Sequence, residues 1–322
     1  MLPSALFISL ITLFYVPSTL SAPLSIFGSR DDSNDTPPTS LTLSELETGF
    51  LRPAQFSRVA YCSSAAVTSW QCGPPCDEIG KGVKVIQAGG DDGLIPMYFV
   101  AHDPTTNTIV VAHQGTNSKS LLSILNDAQF LLKPLNSTRF QLSGDIKVHD
   151  GFQKTFERTA DGVMDGVQKG LKEFNSTKVL VTGHSLGASI ATFDALMLKQ
   201  QLPSSIELKT TVFGMPRAGN KAFADFVDST LGTSDSTYAR ITNQDDPVPR
   251  VPPQAIGYQH ASGEIHIGDE KGDKIFQCPG QDNESDGCSS GNGVLSVLKL
   301  DVPDHKGPYF DGISFSGQAC PL

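Results

Sequence analysis

Gly183-His184-Ser185-Leu186-Gly187 is a G-x-S-x-G run, the pattern that lifts a serine hydroxyl onto a sharp turn between a strand and a helix. Strained backbone at such a serine leaves no room for side chains two residues either side, and glycine fills both places. A helix starting there would turn free N–H groups and the positive end of its dipole toward a developing oxyanion. Serine is a weak nucleophile without a base, and in this arrangement an acid and then a histidine follow it along the chain. His260, His266 and His305 lie downstream, and Asp245 and Asp246 stand at the end of a strand-like run. His260 and His266 fall in or beside the next strand-like stretch. His305 follows Pro303-Asp304 in a loop, where a base reaching toward Ser185 is expected, so position favours it.

The flanking elements have the periods this turn needs. Residues 178–182 (KVLVT) read as a buried strand, and 187–199 as a helix. Before them, Phe156, Ala160, Val163, Val167, Leu171 and Phe174 recur at helical spacing; after them come strand 207–213, helix 218–229 and strand 238–242. Strand-like runs at 83–88, 97–102 and 108–113 form an antiparallel beginning. Ser44 and Glu47 offer a capping box for one or two short helices near the start. The alternation predicts an α/β fold with a mostly parallel mixed sheet. Without an internal repeat or composition break, residues 41–322 read as one domain.

At 322 residues and 39% hydrophobic the chain can bury a large core, which excludes a disordered or collagen-like protein. Its net charge of -10 argues against a nucleic-acid partner, because such binding draws on clustered positive charge. Leu2–Tyr15 is apolar, uncharged and too short to span a bilayer, and Thr19-Leu20-Ser21-Ala22 supplies small residues for cleavage. Residues 1–22 therefore read as a signal peptide, 23–40 as a polar linker or pro-segment, and the protein as secreted. No other segment could span a membrane. In an oxidising compartment the six cysteines read as disulfides. The sequons at Asn34, Asn136, Asn175 and Asn283 are candidate glycosylation sites.

Four stretches together resemble the fungal class 3 lipase family, which includes filamentous-fungal triacylglycerol lipases and feruloyl esterases. They are VTGHSLGASIA, RITNQDDPVPRVPP, Asp304-His305 followed by Tyr309-Phe310, and an early AYC matched by a C-terminal cysteine. The resemblance implies the α/β-hydrolase fold with a small helical lid, and a triad of Ser185, Asp246 and His305, with Asp246 preferred to Asp245. It implies an oxyanion hole from the N–H of Leu186 and of Thr116 in His113-Gln114-Gly115-Thr116, with Gln114 where many members carry Arg. Leu121, Leu122 and Leu125 could share the apolar face of the lid; a plain amphipathic helix packed on the core is the alternative. Locality and the resemblance together favour the pairs Cys72–Cys76, Cys278–Cys288 and Cys62–Cys320 among fifteen possibilities. His149 and His184 could line the cleft but carry no catalytic role. The expected activity is that of a triacylglycerol lipase working at a lipid–water interface, without metal or cofactor. A feruloyl or other soluble-ester esterase is the alternative, and a non-catalytic lipid-binding protein is disfavoured because the whole triad is present.

Overall fold

The computed structural model describes residues 36–90, 95–116, 130–291 and 303–321. The expected signal peptide, most of the expected linker, the sequon at Asn34 and the expected lid residues Leu121, Leu122 and Leu125 lie outside them.

Strand β1 (Thr39–Leu41) uses the last residues of the expected linker and pairs antiparallel with a strand far along the chain. Helix α1 (Leu43–Val59) follows as one 17-residue helix, not two short ones. Its capping box is Thr42 with Glu45, two residues ahead of the expected Ser44 and Glu47. Thr42 holds an extended backbone, accepts the Glu45 N–H and returns its own N–H to the Glu45 carboxylate. Both pairs satisfy the pattern, and the earlier one lies where the backbone leaves the extended region. The helix runs through Pro53, which cannot donate to the Gly49 carbonyl; Lys209 Nζ donates to that oxygen at 3.1 Å instead.

Two short helices, α2 (Ser64–Thr68) and α3 (Pro74–Ile79), lead to the antiparallel strands β2 (Lys84–Gly89), β3 (Tyr98–Asp103) and β4 (Thr108–His113). Strands β5 (Leu132–Pro134) and β6 (Lys147–His149) belong to a second, small sheet. The helical run expected around residues 152–174 is two helices, α4 (Asp150–Glu157) and α5 (Ala160–Glu173). Arg158 and Thr159 part them, each donating its N–H three residues back, so the chain tightens and turns.

Then the alternation sets in: β7 (Lys178–His184), α6 (Leu186–Gln201), β8 (Glu207–Phe213), the short β9 (Gly219–Asn220), α7 (Lys221–Leu231) and β10 (Tyr238–Asn243). Strands β11 (Tyr258–Gln259), β12 (Glu264–Ile267) and β13 (Ile275–Cys278) follow, with the one-turn helix α8 (Pro303–Lys306) near the end.

The main sheet has the order β1-β13-β12-β10-β8-β7-β4-β3-β2. Its centre, β4-β7-β8-β10-β12, is parallel, and both edges are antiparallel. This is the expected α/β-hydrolase architecture. The central strands are buried on both faces, as strands covered by helices on either side must be. Helix α6 is buried along residues 187–198, which explains why its sequence lacks a polar stripe. The three disulfides are the expected pairs, and Cys62–Cys320 closes a separation of 258 residues.

Candidate active site

Ser185 ends β7 and starts α6 with φ 60° and ψ −129°, a conformation costing a non-glycine residue about 1–3 kcal/mol. The surrounding contacts enforce it. A Cβ on Gly183 would lie 2.3 Å from the Gly187 carbonyl oxygen, and one on Gly187 would meet the carbonyls of His113 and Gln114 at 2.5 Å. Both places therefore require glycine, for close approach and not for an unusual φ. The Ser185 N–H donates to the Phe213 carbonyl at 2.9 Å, tying the turn to the end of β8.

The candidate acid and base come from elsewhere in the chain. Asp246 lies just past the C-terminal end of β10, and His305 sits on α8 rather than in the expected open loop. Both are buried, and His305 Nδ1 donates to Asp246 Oδ2 at 2.8 Å. The other carboxylate oxygen accepts the Val248 N–H at 2.8 Å, which fixes the plane of the acid. Asp245 points outward, with 71% of its side chain exposed. His260 Nε2 bonds to the Pro249 carbonyl and His266 Nδ1 to Thr242 Oγ1, so neither competes for the acid.

Strand β4 delivers Gln114-Gly115-Thr116 against the turn: a Cβ on Gly115 would sit 2.7 Å from that of Ser185. Gln114 clamps this loop to β3, donating its N–H to the Met97 carbonyl and accepting the Met97 N–H on Oε1 at 2.9 Å. The residue thus supports the loop without an arginine's charge. Leu186, first in α6, has an N–H with no carbonyl one turn earlier to bond to.

Among the described residues, the buried polar atoms without a hydrogen-bond partner include Ser185 Oγ, His305 Nε2 and Thr116 Oγ1. Folding alone does not explain such groups, since buried polar atoms are ordinarily paired. Together they form a hydroxyl, a basic ring nitrogen backed by a carboxylate, and a hydroxyl beside free N–H groups, which is equipment for acyl transfer.

Residues 110–256 match the model of the class 3 lipases, a span containing Thr116, Ser185 and Asp246. The secreted mono- and diacylglycerol lipase MDL3 of Malassezia globosa is 34% identical over 265 residues, covering 81% of this chain and 80% of that one. The same organism's secreted mono- and diacylglycerol lipase MDL2 is 36% identical, covering 77% and 80%. The chain belongs to the class 3 lipase family. Lipase II of Rhizopus niveus superposes with a TM-score of 0.74 at 26% identity, over 88% of this chain and all of that one. A triacylglycerol lipase with a catalytic centre formed by a serine-protease triad superposes with a TM-score of 0.70 at 29% identity, with the same coverage. The protein is a serine ester hydrolase of the α/β-hydrolase fold.

Two residues of this class 3 lipase escaped sequence reasoning. Asn243 Nδ2 donates to the carbonyls of Asp304 and Pro308, at 2.8 and 3.2 Å, clamping the turn that carries His305. Tyr61 bonds to His184 Nδ1 at 2.5 Å. The AYC and RITNQDD stretches had been noticed, but nothing in either marks these side chains as part of a site assembled across the fold. His184 is buried beside His305, with ring centroids 4.4 Å apart. Burial, reinforced by His305, holds its imidazole well below the usual range. His149 caps the N-terminus of α4 by accepting the Phe152 N–H, and burial pushes it down to about 4.

The sequons differ in their surroundings. Asn175 is exposed, while Asn136 donates its side-chain amide to Glu157 at 3.0 Å. Asn283 is a correction: it is 1% exposed, and its Nδ2 donates to the carbonyls of Thr36 and Pro279, which is incompatible with a glycan on that nitrogen.

Proposed function

We propose that the enzyme is a secreted acylglycerol lipase working through an acyl-enzyme on Ser185. The buried His305–Asp246 pair, with Nε2 of the histidine unpartnered, carries this reading. His305 Nε2 takes the Ser185 hydroxyl proton as Oγ attacks the ester carbonyl. The oxyanion is held by the N–H groups of Thr116 and Leu186, with the Thr116 hydroxyl as a further donor. His305 then protonates the departing alkoxide, and water repeats the cycle to release the fatty acid. Asp246 holds the ring with its proton on Nδ1 and stabilises the imidazolium that forms.

Acylglycerol is favoured as substrate by the relatives. The two from Malassezia globosa carry mono- and diacylglycerol in their names, and the serine-triad structure is a triacylglycerol lipase. Contact with lipid is supported by Leu131 and Ile256, which are 54% and 48% exposed, and by proximity of their neighbours: a Cβ on Gly257 would reach Leu132 Cδ1 at 3.8 Å. An acidic protein would make that contact through apolar groups and not through a basic patch. Secretion is supported by the names of those two relatives and by three disulfides.

The test is hydrolysis of tri-, di- and monoacylglycerols and of methyl ferulate, measured below and above each substrate's solubility limit, with organophosphonate labelling of Ser185. Faster turnover of acylglycerols, rising as an emulsion forms, is expected. Preference for methyl ferulate, or no rise on crossing the solubility limit, would overturn the lipase reading. Failure of the phosphonate to label Ser185 would overturn the nucleophile.

A further inference from the structure

Between the oxyanion loop and the base lies a run of polar contacts that the triad chemistry does not use. Tyr61 Oη packs against Gly115, where an added Cβ would meet it at 2.5 Å, and lies 2.5 Å from His184 Nδ1. On the far side of the ring, His184 Nε2 lies 2.7 Å from the main-chain carbonyl oxygen of His305. The proton positions follow from chemistry. A carbonyl can only accept, so Nε2 must carry the hydrogen; a neutral ring then has an acceptor at Nδ1, so the Tyr61 hydroxyl must donate to it. One arrangement of protons therefore satisfies both ring nitrogens of His184, the Tyr61 hydroxyl and the His305 carbonyl.

The surroundings make this run stiff. His184 stacks on Phe315 with centroids 4.4 Å apart, and Tyr61 adjoins Cys62, which is bonded to Cys320. Gly115 has no room to yield, since a Cβ on it would lie 2.5 Å from Tyr61 Oη and 2.6 Å from the His184 carbonyl oxygen. Tyr309 Oη adds a second donor to the His305 carbonyl at 3.3 Å.

We propose that Tyr61 and His184 are positioning residues that join the oxyanion loop at Gly115 to the main chain of His305, fixing both relative to Ser185. Neither touches the reacting ester. They set the spacing between the Thr116 donor and His305 Nε2, two groups that must engage opposite parts of one tetrahedral intermediate. Acyl transfer is sensitive to that spacing, because a misplacement of about 1 Å costs about 10²-fold in rate. This role rests on Ser185, His305 and Thr116 acting as proposed above.

Tyr61→Phe removes the hydroxyl and keeps the ring, and His184→Phe removes both ring nitrogens and keeps an aromatic stack. Each is expected to lower kcat on a soluble ester about 10- to 100-fold with KM little changed. The double variant should be no worse than the poorer single one, since breaking one run twice adds nothing. In Tyr61→Phe the downfield proton resonance of His305 Nδ1 should shift or broaden, which a purely structural loss elsewhere would not cause. Additive losses, or wild-type kcat and an unmoved resonance in a folded Tyr61→Phe, would overturn the proposal; if His184→Phe does not fold, the Tyr61→Phe kcat and resonance decide it. Ser185→Ala separates the two levels. Activity surviving in that variant sinks the nucleophile assignment, whereas loss there with full kcat in Tyr61→Phe sinks the relay alone.

Discussion

Ser185 sits on a strand, a turn and a helix contiguous in sequence, residues 178–201, whereas His305, with the nearby Tyr309 as a further donor, is held chiefly by groups 59 to 121 residues away. Asp246 holds its ring, Asn243 clamps the carbonyls of Asp304 and Pro308, and His184 holds its own carbonyl. The helix beneath the nucleophile has 16 residues; the one carrying the base has four. Contiguous backbone thus carries the proposed nucleophile, with distant strands only bracing its turn, while side chains from distant elements hold the proposed base. Damage to single side chains should therefore act unequally on the two halves.

The largest effect is expected at the acid. Asp246→Asn keeps the volume but no longer favours a proton on His305 Nδ1, and kcat should fall by about 10⁴-fold. The backbone turn at Ser185 owes nothing to Asp246, so a strained serine should persist in a crystal structure of the variant. Relaxation of Ser185 to an ordinary helical φ would show that the two halves are coupled after all. A smaller effect is expected at Asn243. Asn243→Ala deletes both bonds to the His305 turn and strands two carbonyls, costing about 1–3 kcal/mol of stability in urea unfolding. Activity should fall by about 10- to 100-fold as the base loses its place. An Asn243→Ala enzyme with full kcat would mean that His184 and Asp246 suffice to hold His305.

The same division explains what was legible in the sequence. The turn, its glycines and the flanking strand and helix could be read because their signal is local, and β8 matched its expected span residue for residue. Capping lay within the same stretch but admitted two solutions, Thr42 with Glu45 or Ser44 with Glu47, and only backbone conformation chose between them. Asp246 and His305 needed the family likeness, because spacing left three histidines and two aspartates in play. Burial and partners favour the same pair: His260 and His266 bond to other groups, and Asp245 faces solvent. Tyr61 and Asn243 were invisible because neither has a local pattern, and their partners lie across the fold. The buried state of Asn283 was equally hidden, since a sequon reports nothing of the carbonyls its amide will meet.

Acid should weaken the site in two stages. Burial holds both His184, which contacts the His305 main chain, and His260, beside the loop after Asp246, well below their ordinary 6.5. A histidine whose folded pKa is depressed favours the unfolded chain as protons become available, so the site loses stability as pH falls from about 6.5. The loop after Asp246 has a further brace. Arg217 pairs with Asp282 at 2.8 Å and donates to the carbonyls of Arg250 and Pro252, while Asp282 accepts the His260 N–H. Burial alone would raise the Asp282 carboxyl, but the Arg217 charge and hydrogen bonds outweigh it and hold the group well below the usual range. Its contribution is complete above about pH 4 and is lost only as pH falls toward the depressed folded value. Urea midpoints measured across this range should decline in two stages, with Asp282→Asn lowering the whole curve and erasing only the second. A single decline beginning near pH 4 would show that neither His184 nor His260 is held neutral by the fold.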